Sequence, residues 1–353
     1  MDTDIAHYTA VDLLKGMISR PSFSRAEEPV ADYLYEYLLS LSLPVERKGN
    51  NLWILSPGFN PEKPTILLNS HIDTVRPAAS WSRDPFEPAE EEGVIFGLGS
   101  NDAGASLVSL LQSFILLTEK EQPYNLIFLA SAEEEVSGKN GVESVLGELP
   151  PIAFAVVGEP TGMHAAIAEK GLMVIDAAVY GKSGHAARNE GVNAIYEALP
   201  VMERMRDFRF PDESPLLGPV KVSLTQVNAG TQHNVVPDKC TFVLDVRTNE
   251  LYSNEEAFRL LQESAGCEMT ARSFRLNSSR IDASHPFVRR TEMMGRNLFG
   301  SPTLSDQALM PFPSVKMGPG DSARSHTADE YIHRNEIREA IELYCKLLDG
   351  LRI

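Results

Sequence analysis

The sequence predicts an α/β protein: a doubly wound, mostly parallel sheet, interrupted by a ferredoxin-like α+β domain. Three observations predict it. Short runs of large apolar residues at 65–69, 125–130 and 152–157 have the length and composition of strands buried on both faces. Helix-length amphipathic stretches alternate with them, the rhythm of a doubly wound sheet. From about Gly171 that rhythm gives way to strand, helix, strand, strand, helix, strand, which is the ferredoxin-like order. The expected division is therefore a first domain over 1–170 and 278–353, with a second domain inserted over 171–277.

Taken in order, Thr9-Ala10-Val11-Asp12 reads as a capping box opening a helix that runs to about Ser19. A second helix starts near Pro29, which a first turn tolerates, with Val30, Tyr33, Leu34, Tyr37 and Leu38 on one face. Strands follow at 52–55 and 65–69, separated by a loop punctuated by Pro57, Gly58, Pro61 and Pro64. Gly97-Leu98-Gly99-Ser100-Asn101-Asp102 is a turn of small residues that lets backbone approach a site. A helix is expected over 105–118, another after Gly138, and a strand over 152–158. In the insertion, strands are expected at 172–180, 220–227, 241–247 and 268–274, and helices at 193–205 and 254–263. Helices over 285–298 and 334–348 return to the first domain.

Composition narrows the function. The 353 residues exceed what one core usually holds. Thirty-two basic against 49 acidic residues give a net charge of −17, which argues against nucleic acid or an anionic membrane as partner. Cys240, Cys267 and Cys345 share no zinc spacing and read as reduced thiols, so a cytoplasmic location is expected. The acidic start has no signal-peptide pattern, and no apolar run is long enough to span a bilayer.

Acids and histidines cluster where strands end. In an open α/β sheet, ligands bind beyond the carboxyl ends of strands. His71 and Asp73 follow the run at 65–69, Glu133-Glu134-Glu135 follow the run at 125–130, and Glu159 follows the run at 152–157. Each has an ordinary reading: a strand-end histidine, a solvated acidic helix start, a turn acid, an N-cap for Asp102, a loop histidine for His326. Together, His71, Asp102, Glu134, Glu159 and His326 offer two imidazoles and three carboxylates. If Asp102 bridges, each of two cations receives one histidine, one terminal carboxylate and a share of Asp102, with a position left open. Nitrogen and oxygen donors without thiolate suit Zn, Co or Mn. Asp73 is placed to hold the second ring nitrogen of His71.

Seven segments in order resemble the dinuclear zinc amidohydrolases typified by acetylornithine deacetylase and succinyl-diaminopimelate desuccinylase, with carboxypeptidase-like and aminoacylase relatives. They are Ser70-His71-Ile72-Asp73, Gly97 to Asp102, Glu133-Glu134-Glu135, Gly158-Glu159-Pro160, Gly181-Lys182-Ser183-Gly184-His185-Ala186, Asn234-Val235-Val236-Pro237 and His326. The resemblance implies a zinc-peptidase-like fold with two zinc ions. The first would be held by His71, Asp102 and Glu159, the second by Glu134, Asp102 and His326. It implies Asp73 as the orienting acid, Glu133 as general base, and a cis Asp102–Ala103 peptide. It also implies His185 as an oxyanion donor reaching over from a partner subunit, hence a homodimer. Asn234 and Arg247 match positions near the substrate carboxylate, although Arg247 could equally pair with a neighbouring acid. His164, His233, His285 and His333 receive no role. One departure stands out: Ala103-Gly104 follows Asp102 where many relatives carry Met-Lys.

The expected activity is hydrolysis of an N-acyl amino acid, foremost N-acetyl-L-ornithine to L-ornithine and acetate, as in arginine biosynthesis. Desuccinylation of N-succinylornithine or N-succinyl-diaminopimelate, and dipeptide hydrolysis, are the alternatives. A non-catalytic metal-binding protein is the alternative from another class, and a retained base argues against it. A dinucleotide enzyme is disfavoured, because the Gly97-Leu98-Gly99 pair lacks the spaced third glycine.

Overall fold

The computed structural model describes residues 3–188 and 190–353. It divides into two compact units. The first runs to Ile167 and resumes over Arg280–Phe299 and Ser305–Ile353; the second comprises Ala168–Ser279 with the short piece Gly300–Leu304.

The core of the first unit is four parallel strands, ordered Asn125–Ser131, Thr65–His71, Phe154–Val157 and Ser314–Lys316. Antiparallel strands extend the sheet on both sides, Asn51–Leu55 against the first of these and Ala165–Glu169 against the last. Continuous burial explains the unbroken apolar runs. Ile66, Leu68, Leu126, Phe128, Phe154 and Val156 face a core shared with Leu14, Leu111, Phe114, Ile341 and Tyr344. The alternate residues Leu67, Ile127, Leu129, Ala155 and Val157 face a second, smaller core with Trp53, Val142, Val145 and Met310. Register decides what happens at the carboxyl edge. His71 pairs with Ser131, Asn69 with Val157 and Lys316 with Val157. The four strands thus end nearly level, and their following segments emerge along one edge.

Three local expectations are revised. The N-terminal helix is Thr3–Ile18, so Thr9 does not cap it; its hydroxyl donates to the Ile5 carbonyl one turn back. The helix after Gly138 is one turn, Val142–Val145, followed by a 3₁₀ turn over Leu146–Glu148. The helix expected over 285–298 stops at Met293, because Gly295 takes φ 75° and the chain turns into the strand Leu298–Ser301. The helices Glu28–Ser40, Ala105–Thr118 and Arg334–Leu348 form where the apolar periodicity places them.

The second unit has a four-stranded antiparallel sheet ordered Lys221–Ala229, Lys239–Arg247, Met173–Tyr180, Glu268–Ala271. In chain order that is 2-3-1-4, the ferredoxin-like arrangement. Ile175, Ala177, Phe242 and Leu244 cover one face, and the helices Ala194–Asp207 and Asn254–Ala265 pack there through Ala198, Val201, Met205, Ala257 and Leu261. Ser253 and Glu256 close a capping box at the start of the second of these helices. Among the described residues, no helix is long and apolar enough to cross a membrane.

Candidate metal centre

Beyond the carboxyl edge of the first unit's sheet, six side chains from five segments meet: His71, Asp102, Glu134, Glu135, Glu159 and His326. His71 ends its strand with its ring buried. Its Nε2 lies 3.3 Å from Asp102 Oδ1, 3.7 Å from Glu159 Oε1 and 3.9 Å from Glu134 Oε2. The other oxygen of Asp102, Oδ2, is 3.7 Å from His326 Nε2, which lies 3.0 Å from Glu135 Oε2. Asp102 therefore offers one oxygen to each imidazole. The donor atoms of His71, Asp102 and Glu159 fall within 4.8 Å of one another, as do those of Asp102, Glu135 and His326. The Asp102–Ala103 peptide is cis.

The acidic triplet departs from the expected order. Glu135 faces His326, where Glu134 was expected; Glu134 lies beside His71, and the donor atoms of His71, Glu134 and Glu135 also fall within 4.8 Å of one another. Glu133, expected as the base, points out of the cluster. Its backbone is left-handed at φ 56°, its N–H donates to Glu27, and its carboxylate accepts from Asn140. Gly138 lies so close to this carboxylate that a Cβ there would overlap it. The left-handed step at Glu133 turns the chain, and the next two N–H groups then donate to the Asp73 carboxylate at 3.0 and 3.1 Å. Those two bonds aim Glu134 and Glu135 inward.

Asp73 also differs in detail. The strand stops at His71, so strand alternation does not reach residue 73. The Nδ1 of His71 is 2.9 Å from the Asp73 backbone oxygen and 3.5 Å from its carboxylate. That carboxylate is shared among His71, the hydroxyl of Ser24 and the amides of Glu134 and Glu135.

Four supporting residues escaped the sequence reading. Glu27 is buried and accepts from the amides of Arg25 and Glu133 and the side chain of Asn50. Asp306 is buried and accepts from the Ser131 hydroxyl at 2.6 Å. Glu330 is buried and accepts from three amides of the Asp102 turn. Ser24 reaches Asp73 at 2.7 Å. Nothing in the spacing of these residues distinguishes them from surface residues; only proximity to His326 singles out Glu330.

His185 and Asn234 belong to the second unit. Gly184–His185 pairs with Val235–Val236, and the Ala186 amide donates to the Asn234 carbonyl, so the two motifs lie side by side. Arg247 makes a two-pronged ion pair with Asp245 at 2.8 and 3.1 Å, the neighbouring-acid pairing its position allows.

The electrostatics follow from crowding. Burial pushes the Glu134 carboxyl well above its usual range, and the charges of Glu159, Asp306 and Glu135 add to the effect. Burial, then the charge of Asp102, pushes Glu159 up to about 8. Burial works against a charged His71, yet Asp102, Asp73, Glu134 and Glu159 outweigh it and raise its pKa well above the ordinary imidazole value. The hydrogen bond to Glu135 raises His326 to about 9. Burial opposes ionisation of Asp102, but His71 more than offsets it and holds that carboxyl low. Such a set of buried acids repels itself, and divalent cations would relieve the repulsion. The donor types, nitrogen and oxygen only, fit them.

A pH test follows, with its sign set by these shifts. Glu159 titrates near 4.5 when unfolded and about 8 when folded, so without cations it costs stability as pH rises between those values. His326, at 6.5 unfolded and about 9 folded, contributes stability that is fully present below 6.5 and lost as pH rises through its folded pKa. The chelated protein is expected to melt at progressively lower temperature from about pH 5 to about pH 9. The increment produced by added zinc should grow over the same range, since its ligands must be deprotonated. Thermal scans with and without chelator check this; a chelated melting temperature that rises with pH contradicts it.

Fold and site together define a metal-dependent hydrolase. The chain belongs to peptidase family M20/M25/M40, whose sequence profile matches residues 67–350. It is 27% identical over 263 residues to succinyl-diaminopimelate desuccinylase of a Nitratiruptor species, covering 71% of each chain. It is 25% identical to acetylornithine deacetylase of Proteus mirabilis, covering 97% of this chain and 96% of that one. Its fold matches that of the Bacillus subtilis YXEP protein, a dinuclear metal-binding peptidase of family M20, with a TM-score of 0.76, 16% identity and 98% coverage of both chains.

Proposed function

We propose that this hydrolase cleaves the amide bond of an N-acyl amino acid, with N-acetyl-L-ornithine the first candidate and arginine biosynthesis its setting in the cytoplasm. The observation that carries the reading is the carboxylate of Asp102 placed between two imidazole–acid sets. His71, Asp102 and Glu159 would hold one ion, and His326, Asp102 and Glu135 the other, with zinc the leading candidate and Co or Mn alternatives. Such ions supply Lewis acidity, polarising the scissile carbonyl and lowering the pKa of a water toward about 7.

The protein's own groups do the rest. Glu134 takes the proton from the attacking water and returns it to the leaving amine, a role suited to a carboxylate that lies 3.9 Å from the His71 ring and whose amide is tied to Asp73. Asp73 fixes the ring of His71 and, through two amides, the aim of Glu134 and Glu135. His185 would donate to the tetrahedral oxyanion from a partner subunit, and Asn234 and Arg247 would contact the substrate carboxylate, Arg247 by exchanging its bond to Asp245.

A homodimer is supported by the second unit's edge strand Lys221–Ala229, which exposes Leu224 and Val227, near Tyr196 and Leu199 exposed on the preceding helix. Sedimentation of the purified protein checks this.

Desuccinylation is the second reading, favoured by the Nitratiruptor relative. The deciding experiment gives the zinc-loaded protein N-acetylornithine, N-succinylornithine and N-succinyl-diaminopimelate in competition. Preferred release of acetate supports the first reading and preferred release of succinate the second. No hydrolysis of any of the three, with zinc bound, refutes both.

A further inference from the structure

The segment that carries His326 and the turn that carries Asp102 are far apart in sequence, yet they are joined by a dense set of bonds. Glu330, four residues after His326, is 2 % exposed. Its Oε1 accepts from the amides of Asn101 at 2.8 Å and Asp102 at 2.9 Å, and its Oε2 from the amide of Gly99 at 3.0 Å. The turn thus commits three of its backbone donors to a single carboxylate. On the other side, Asn101 closes the same pair of segments. Its side-chain oxygen accepts from the Asp321 amide at 3.0 Å, and its side-chain nitrogen donates to the Asp321 carbonyl at 3.1 Å and the Ser325 hydroxyl at 3.3 Å. The approach is close enough that Gly320, at φ 90°, faces the Asn101 amide where a Cβ would not fit.

A carboxylate with several charge-assisted bonds to backbone N–H groups is a strong local anchor. A buried one also keeps the amides it satisfies from turning elsewhere, since unpaired buried donors are costly. The two oxygens of Asp102 lie near different imidazoles, Oδ1 3.3 Å from His71 and Oδ2 3.7 Å from His326. A small rotation of the turn would therefore spoil both ligand sets together. His326 is itself held in a left-handed backbone conformation at φ 59°, which its surroundings must maintain.

From this geometry we infer that Glu330 is the positioning residue of the metal centre: it locks the Asp102 turn to the His326 segment and so sets the affinity for both ions. It is not among the side chains that would hold an ion, and it acts through the aim of Asp102 and His326. The inference rests on the proposed metal centre.

The test uses the full-length chain with Glu330→Gln, which keeps shape and one carbonyl acceptor, and Glu330→Asp, which keeps the charge. Asp329→Asn serves as the control. Asp329 is the adjacent acid, and it binds the amides of Ser82 and Arg83 instead of the Asp102 turn. Zinc affinity is measured by competition with a chromophoric chelator, and hydrogen exchange is followed at the amides of Gly99, Asn101 and Asp102 in the zinc-free proteins. Glu330→Gln is expected to weaken both zinc sites about 10- to 100-fold, the range for outer-sphere ligand supports, and to speed exchange at those amides. Asp329→Asn should leave both measurements within about twofold, and Glu330→Asp should recover part of the loss. Zinc affinity in Glu330→Gln equal to that of the parent, or an equal loss in Asp329→Asn, overturns the inference while leaving the metal centre intact. A parent chain that binds no zinc overturns both, and the exchange data then report only whether the two segments are clamped.

Discussion

Glu134→Gln is expected to bind two zinc ions and to lose about 10²- to 10⁴-fold in kcat, the usual contribution of a positioned general base. KM should change little, because the substitution removes a proton acceptor and keeps the volume. The contrast with its neighbour makes the experiment decisive. Glu133→Gln should retain kcat within about threefold, since that carboxylate is bound to Asn140 and faces away from the cluster. Steady-state kinetics on the zinc-loaded variants give the answer. A Glu133→Gln enzyme that loses turnover while Glu134→Gln keeps it would restore the assignment expected from sequence.

Asp102→Ala should be the most damaging change for the ions themselves. It removes one oxygen from each of the two proposed ligand sets, so zinc content should fall from two to one or below. Glu135→Ala should leave one ion, because His71, Asp102 and Glu159 form a set without it. Zinc-to-protein ratios after gel filtration check both. The melting temperature gives a second reading, since a ligand present at 100 times its Kd adds about 2.7 kcal/mol to the folded state. A ratio of two in Asp102→Ala would disprove the shared role of that carboxylate.

The fold was legible because its signals are regular: unbroken apolar runs for the parallel strands and helical spacing for the helices. The parallel strands Thr65–His71, Asn125–Ser131 and Phe154–Val157 are buried on both faces, so their middles are apolar and buried polar residues such as Asn69, Ser70 and Ser131 come toward the carboxyl ends. The approach of His71 and Glu159 was legible for a related reason, since ligands gather where parallel strands end; Asp102, after the antiparallel strand Val94–Phe96, and the loop residue His326 were joined to them only by the family resemblance. What could not be read was the direction of single side chains in irregular backbone. In the run 133–135 there is no period to count. A left-handed residue precedes a single 3₁₀ turn, and which of three adjacent acids enters the site depends on Asp73, about sixty residues earlier. Asp306 and Glu330 were invisible for the same reason. They are ordinary loop acids until the fold buries them against Ser131 and the Asp102 turn.

The level carboxyl edge of the parallel strands has a bearing on how this framework can change over time. His71 ends one strand, and the acidic triplet, Glu159 and the His326 segment each leave a different one. A deletion or lengthening within one such segment does not slide the others out of register, since each is tethered to the sheet on its own. Diversity in the rim can then accumulate segment by segment while the inorganic chemistry stays put. Two ties are exceptions: the 99–102 and 321–330 stretches, joined by Glu330 and Asn101, and the acidic triplet, aimed by Asp73; chimeras that exchange only one member of either pair are the ones expected to fail.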